Sequence, residues 1–237
     1  LFIMFYGGFG TNWRAARPAA APAILLSSLG TVLTAALTGL FCHFVVGMPL
    51  LEGLLCGAVL GSTDAASVFA ILRARKLALK ENTDSLLEVE SGSNDPFAYM
   101  LTAVLLTAME SGITPGAVAR LLGAQLVFGL AFGFGVGWAA LWLLRRLRLD
   151  GSGFETIFVV ATALFSYAAP AMLGGNGFLS VYITGILLGN GRLRSTATLV
   201  SFFDGVTGIM QMVLFFLLGL LALPSQMPAV VQPAVGI

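Results

Sequence analysis

Apolar residues fill most of this chain in blocks of roughly 20, the length a helix needs to cross a bilayer at about 1.5 Å per residue. Such blocks cover residues 23–46, 50–72, 85–109, 117–144, 154–173 and 206–223, with a shorter one at 178–190 and a half-length one ahead of Thr11. Short polar punctuation separates them: Gly47-Met48-Pro49, Glu110-Ser111-Gly112, Asp150-Gly151-Ser152-Gly153 and Gly174-Gly175-Asn176-Gly177. The pattern predicts an all-α, polytopic transmembrane helical bundle of about seven spans plus an N-terminal half-span. It places a basic loop at 11–18 and a segment at 198–204 along the membrane interface before the last span. Gly129, Gly133 and Gly137 recur every four residues, so they share one helix face that a neighbouring helix can approach closely.

Two blocks are interrupted by polar residues. Gly61-Ser62-Thr63-Asp64-Ala65-Ala66-Ser67 places one carboxylate and three hydroxyls inside the run 50–72. Glu88-Val89-Glu90-Ser91-Gly92-Ser93-Asn94-Asp95-Pro96 opens the apolar run that follows it. Ionisable groups at membrane depth are costly and characteristically mark an ion or proton pathway.

Composition fixes the class. With 58% hydrophobic and 10% charged residues and a mean hydropathy of +0.96, the chain has too little polar surface to cover a soluble globule. A net charge of +1 gives no footprint for a nucleic-acid partner. Cys42 and Cys56 lie in separate apolar runs and read as small buried hydrophobes. The chain opens on Leu1 with half a span and no signal-peptide pattern, and its last residues carry three prolines from Pro224 onward. We read 1–237 as a single transmembrane transport domain truncated at both ends.

Loop charges give an orientation. Loops 11–20, 73–84, 145–153 and 191–205 hold every Lys and Arg except Arg120, and the links at 47–49 and 174–177 hold none. By the positive-inside rule the four basic loops face the cytoplasm, and Arg120 snorkels to the outer interface. Asp64 then lies eight residues before the cytoplasmic end of its span and Asp95 ten after the start of the next. Both fall about 12 to 15 Å deep on straight helices, near the middle of a hydrocarbon core of roughly 30 Å.

That depth brings oxygens together. Ser91 and Asp95 share a helix face, and Glu90 and Asn94 share the face beside it. A dehydrated alkali-metal ion needs several oxygens in place of water. Asp64, Ser91, Asp95 and a backbone carbonyl freed near Thr63 would supply them, with an unwound helix expected over 61–67. Pro96 has no N–H, so a carbonyl one turn earlier loses its helix partner. A carboxylate out of water holds a proton, and a bound cation displaces it, so proton and cation compete for one site. Glu90 reads as a support for the site and Glu88, nearer the cytoplasmic end, as an entry-funnel or interfacial charge. Glu52 and Glu155 lie near span ends and read as interfacial, and His43, near the outer end of its span, as a solvated or hydrogen-bonded residue rather than a pH sensor. Simple helix cross-linking by buried Asp and Asn is the bland alternative for any one of these residues.

These residues carry a resemblance. Gly61-Ser62-Thr63-Asp64-Ala65-Ala66-Ser67-Val68-Phe69 followed by Glu90-Ser91-Gly92-Ser93-Asn94-Asp95-Pro96 resembles the signature of bacterial NhaP-type monovalent cation:proton antiporters, the potassium/proton antiporters of cell-volume regulation above all. Phe5-Tyr6-Gly7-Gly8-Phe9, Gly185-Ile186-Leu187-Leu188-Gly189-Asn190 and Phe215-Phe216-Leu217-Leu218-Gly219-Leu220 are similar to further elements of that group. The resemblance implies a multi-pass protein of the bacterial inner membrane, a homodimer of core and dimerisation domains with crossed, partly unwound helices, and no cofactor. It implies that Asp95 is the main carrier, that Asp64, Thr63 and Ser91 help coordinate K+ or Na+, and that Asn94 and Glu90 stabilise the site. Asn94-Asp95 in place of two aspartates resembles the electroneutral members, one proton per cation. Tyr6 departs from the pattern by replacing an acidic residue. An arginine expected to pair with Glu90 would lie beyond Phe216.

Two readings compete. A pair of membrane aspartates also describes an intramembrane aspartyl protease, although such an enzyme is expected to carry a Gly-x-Gly-Asp-type element where this chain has Ser93-Asn94-Asp95. A non-transporting membrane subunit is the third possibility.

Overall fold

The computed structural model describes residues 1–63, 83–112, 114–146, 152–191 and 193–221, and every regular element among them is helical. In chain order these are α1 (Phe2–Gly10), α2 (Trp13–Val46), α3 (Leu50–Leu60), α4 (Thr83–Ser111), α5 (Pro115–Arg146), α6 (Ser152–Met172), α7 (Gly177–Gly189) and α8 (Thr196–Leu221). Helices α2, α5, α6 and α8 are long and apolar enough to cross a membrane, while α3 and α7 are shorter apolar helices. Helix α4 carries the polar cluster.

Local chemistry explains where the elements start and bend. The expected loop at 11–18 is instead mostly helix. Asn12 caps α2, its Oδ1 accepting from the backbone N–H groups of Arg14 and Ala15 at 3.2 and 3.4 Å. Within α2 the segment Leu26–Gly30 widens into a π turn, where Ser28 donates to the Ile24 carbonyl at 2.6 Å and Thr31 to that of Ser27 at 2.6 Å. The helix stops at Gly47, whose φ of 80° suits glycine, and Pro49 precedes the first residue of α3. His43 bonds the Met48 carbonyl through Nδ1 at 2.9 Å, closing this turn. Cys42 is buried and Cys56 half-buried, both as free thiols.

Helix α7 is the centre of the bundle. Ser180, Val181, Thr184 and Leu188 are wholly buried, and α1, α5 and α6 pack around it. The glycine stripe of α5 meets α7 as its spacing predicts. A Cβ on Gly133 would fall 2.9 Å from the Ile183 side chain, and one on Gly137 2.6 Å from Leu187. On the opposite side, a Cβ on Gly185 would lie 2.4 Å from the Phe5 carbonyl of α1. The interior polar groups of α7 are satisfied across helices, since Ser166 of α6 bonds both Ser180 and Thr184, at 2.8 and 2.7 Å, and Thr184 donates to the Gly133 carbonyl at 3.1 Å.

The last element corrects a second expectation. Residues 198–204 do not lie apart along the interface but belong to the continuous helix α8. Its buried residues Leu199, Phe203 and Thr207 form one stripe, with Phe203 against Phe5 of α1 at 4.9 Å between ring centroids. Beyond Gln211 the helix is apolar and exposed throughout. One end of the bundle gathers three of the basic stretches: Asn190 accepts from Trp13 N–H at 3.1 Å and donates to the Thr11 carbonyl at 2.9 Å, and Arg145 donates to the Gly191 carbonyl at 3.3 Å. Arg120, by contrast, is exposed near the start of α5.

Candidate functional site

The polar cluster forms where α3 ends against α4. Gly61 N–H still bonds the Gly57 carbonyl at 2.9 Å, and then Ser62 and Thr63 leave the helix. Unwinding is therefore in place at the start of the 61–67 stretch. Asp64 lies outside the described residues, as do the basic residues of the 73–80 loop. Helix α4, by contrast, runs without interruption through Pro96. The first polar stretch begins where α3 ends, whereas the second is a continuous helix with polar residues on two adjoining faces.

Those faces close on the broken end. Ser91 donates from Oγ to the Thr63 carbonyl at 2.6 Å, so the hydroxyl meets a carbonyl in the unwound stretch. The Thr63 hydroxyl lies 3.3 Å from Ser91 Oγ and 3.5 Å from Glu90 Oε2, and with one hydrogen it serves one of them at a time. Asn94 donates from Nδ2 to Thr63 Oγ1 and to Glu90 Oε1, the latter at 3.4 Å. Glu90 can only accept when ionised, which fixes the amide with its nitrogen toward the carboxylate. Asn94 Oδ1 is then buried with no hydrogen-bond partner among the described residues. Asp95, half-buried, accepts from the Ser62 hydroxyl.

The structure thus brings together five of the six residues singled out from the sequence: Thr63, Glu90, Ser91, Asn94 and Asp95. The predicted sharing of faces holds, Ser91 and Asp95 reaching 63 and 62 respectively, Glu90 and Asn94 bonding each other one turn apart. Glu52 is exposed in the first turn of α3. Glu155, expected at the interface, is in the first turn of α6 but buried. The side chain of Glu88 lies outside the described set.

Three contacts escaped the sequence reading. Ser62 was one hydroxyl among three, and nothing in its spacing singled it out as the donor to Asp95. Asn176 caps α7 by accepting from Leu179 N–H at 3.1 Å and also reaches the site helix, donating from Nδ2 to the Pro96 carbonyl at 3.0 Å. An asparagine before a helix is a legible cap, but its bond to a carbonyl 80 residues away leaves no trace in spacing. Tyr6, where a carboxylate is expected, donates from its hydroxyl to Asp204 Oδ1 on α8 at 3.4 Å. A carboxylate therefore stands beside Tyr6, brought by another helix.

In chemical terms the cluster offers two carboxylates, hydroxyl oxygens and non-helical backbone in one place. Oxygen-rich, partly dehydrated sites of this kind suit a monovalent cation or a proton.

Comparison with known proteins follows the same line. The family model described as sodium/hydrogen exchanger, transmembrane, matches residues 1–237. A protein of Alkalimonas amylolytica named K(+)/H(+) antiporter NhaP is 40% identical over 238 residues, covering 100% of this chain and 41% of that protein. The K(+)/H(+) antiporter NhaP2 of Shewanella baltica (strain OS223) is 37% identical over 234 residues, covering 98% of this chain and 40% of its own length. More distantly, the Na(+)/H(+) antiporter NhaS2 of a Synechocystis strain is 26% identical over 229 residues, 94% of this chain and 42% of that protein. The chain spans about two fifths of the length of these relatives.

Proposed function

The chain belongs to the sodium/hydrogen exchanger family, and from that premise we propose that the protein of which it forms part exchanges a monovalent cation, K+ or Na+, for protons across a bacterial inner membrane. The observation that carries this reading is the joining of Ser62 and Thr63 to Ser91, Asn94 and Asp95 where the non-helical end of α3 abuts a polar helix face. Asp95 is the carrier. It binds either a proton or a cation, with Asp64, Ser91 and the backbone and hydroxyl of Thr63 completing the cation's oxygen shell.

Each partner has a stated role in that cycle. The hydrogen bonds that now join Ser91 to the Thr63 carbonyl, and Ser62 to Asp95, occupy the oxygens a cation would claim. Binding therefore swaps protein hydrogen bonds for ion contacts rather than opening a void. Glu90 and Asn94 hold the Thr63 turn in place from the adjoining face. Alternating access follows if the site can change sides only when loaded with one substrate or the other. With a single cycling carboxylate the exchange is one proton per cation and carries no net charge. A homodimer in the membrane is the assembly we infer. The relatives lend nothing to the aspartyl protease or non-transporting subunit readings, since the names they bear are those of antiporters.

The test uses the full-length protein in everted membrane vesicles from cells without other antiporters, preloaded with acid by respiration. Addition of K+ or Na+ should dissipate the pH gradient, and the cation that does so at lower concentration is the preferred substrate. No response to either cation above that of empty vesicles would overturn the reading.

A further inference from the structure

Helix α4 is held on two sides. The face bearing Glu90, Ser91, Asn94 and Asp95 meets the unwound end of α3, as described above. A different face, marked by Gly92 and Pro96 one turn apart, rests on α7. A Cβ on Gly92 would fall 2.5 Å from the Tyr182 hydroxyl oxygen, and the Pro96 carbonyl accepts from Asn176 Nδ2 at 3.0 Å. These two contacts flank Asp95 in sequence, and the second is to its immediate neighbour.

Asn176 is well placed to transmit position because it is itself pinned. It is fully buried, its N–H donates to the Gln125 carbonyl of α5 at 3.1 Å, its carbonyl accepts from Ser180 N–H at 3.1 Å, and its Oδ1 caps α7 through Leu179 N–H. The remaining amide nitrogen is the one that reaches α4. Pro96 weakens its own helix at this level, because the absent N–H removes one rung of the backbone ladder beneath it. A turn lacking that rung, the one to the Gly92 carbonyl, is less stiff than regular helix, and the Asn176 bond, made to the Pro96 carbonyl, anchors the turn from outside without restoring the rung.

We propose that Asn176 is a positioning residue for cation exchange: by holding the Pro96 carbonyl it sets the place of the Asp95 carboxylate relative to Ser62 and Thr63. Cation coordination depends on oxygen positions within fractions of an ångström, so a looser turn weakens cation binding before it disturbs the fold. The inference rests on the exchange reading given above.

The experiment compares wild-type full-length protein with Asn176→Ser in proteoliposomes. Serine is as good a helix cap as asparagine but is too short to bridge to Pro96, so capping survives and the bond to α4 does not. The expected result is a rise of roughly five- to tenfold in the apparent KM for the cation, the equilibrium equivalent of one buried hydrogen bond, with a near-normal maximal rate and a melting temperature in detergent lowered by no more than a few degrees. Asn176→Thr, also a capping residue, repeats the comparison if the serine variant does not survive purification. A normal KM in the capped variants overturns the inference, as does a fall in maximal rate or melting temperature with KM unchanged, which is the mark of a structural role alone. Absence of exchange by the wild-type protein is a separate result, defeating the exchange reading and this inference with it.

Discussion

Ser62 donates a hydrogen bond to Asp95, joining the first unwound residue after α3 to the carboxylate in the middle of α4. The end of one helix is thereby tied to a carboxylate of the next.

Ser62→Ala should separate the part of this contact in cation binding from folding. The substitution removes one charge-assisted hydrogen bond to Asp95, about 1.5 kcal/mol, and one hydroxyl oxygen beside the carboxylate. The apparent KM for the cation should rise roughly tenfold, since about 1.4 kcal/mol is a factor of ten, while the melting temperature in detergent stays close to that of the wild-type protein. Initial rates over a range of cation concentrations give the answer. A wild-type KM would mean that the Ser62 contact does not bear on cation binding.

Packing around α7 makes a contrasting pair of predictions. Gly185→Ala would drive a Cβ to 2.4 Å from the Phe5 carbonyl, a backbone atom that cannot step aside, whereas a Cβ on Gly135 meets nothing within 4 Å. The first substitution should lower the melting temperature in detergent by several degrees, in line with overpacking costs of about 1 to 3 kcal/mol. Gly135→Ala should leave it unchanged or raise it slightly, because glycine in a helix interior costs roughly 0.5 to 1 kcal/mol relative to alanine. Equal effects at both sites would contradict the packing of α1 on α7.

Much of this arrangement was legible in the sequence, and the reasons differ from place to place. The four-residue spacings of Ser91 with Asp95 and of Glu90 with Asn94 translate directly into shared faces, because α4 is regular there. Glycine and hydroxyls at 61–63 announce a break because such residues tolerate and repair lost helix bonds. The glycine stripe of α5 found its partner for the same periodic reason. What stayed hidden depends on distant parts of the chain. Asp204 looks like a span boundary because a charge interrupts the apolar run, yet Tyr6 from α1 gives it a hydrogen-bond partner and α8 continues past it. Asn176 looks like part of a glycine-rich link until Pro96 is brought beside it.

Stoichiometry can be read from pH and voltage. Asn94, not a second carboxylate, precedes Asp95, so one proton should leave for each cation bound. Apparent cation affinity should then weaken about tenfold for each pH unit on the acid side of the transition. Exchange rates should be indifferent to a membrane potential set with a thiocyanate gradient. A hundredfold change per unit, or strong voltage dependence, would show that two carboxylates cycle protons.

The central claim is that Asp95 carries the exchange, and it is tested most directly by Asp95→Asn in the full-length protein. The amide nearly matches the carboxylate in size but cannot alternate between proton and cation. Purified wild-type protein and variant are reconstituted side by side, with insertion checked by protease protection and folding by melting temperature, and cation-driven proton flux is followed with a pH-sensitive dye. The account predicts a normally inserted, folded variant with no flux above empty liposomes. Flux at the wild-type rate from the variant would contradict it.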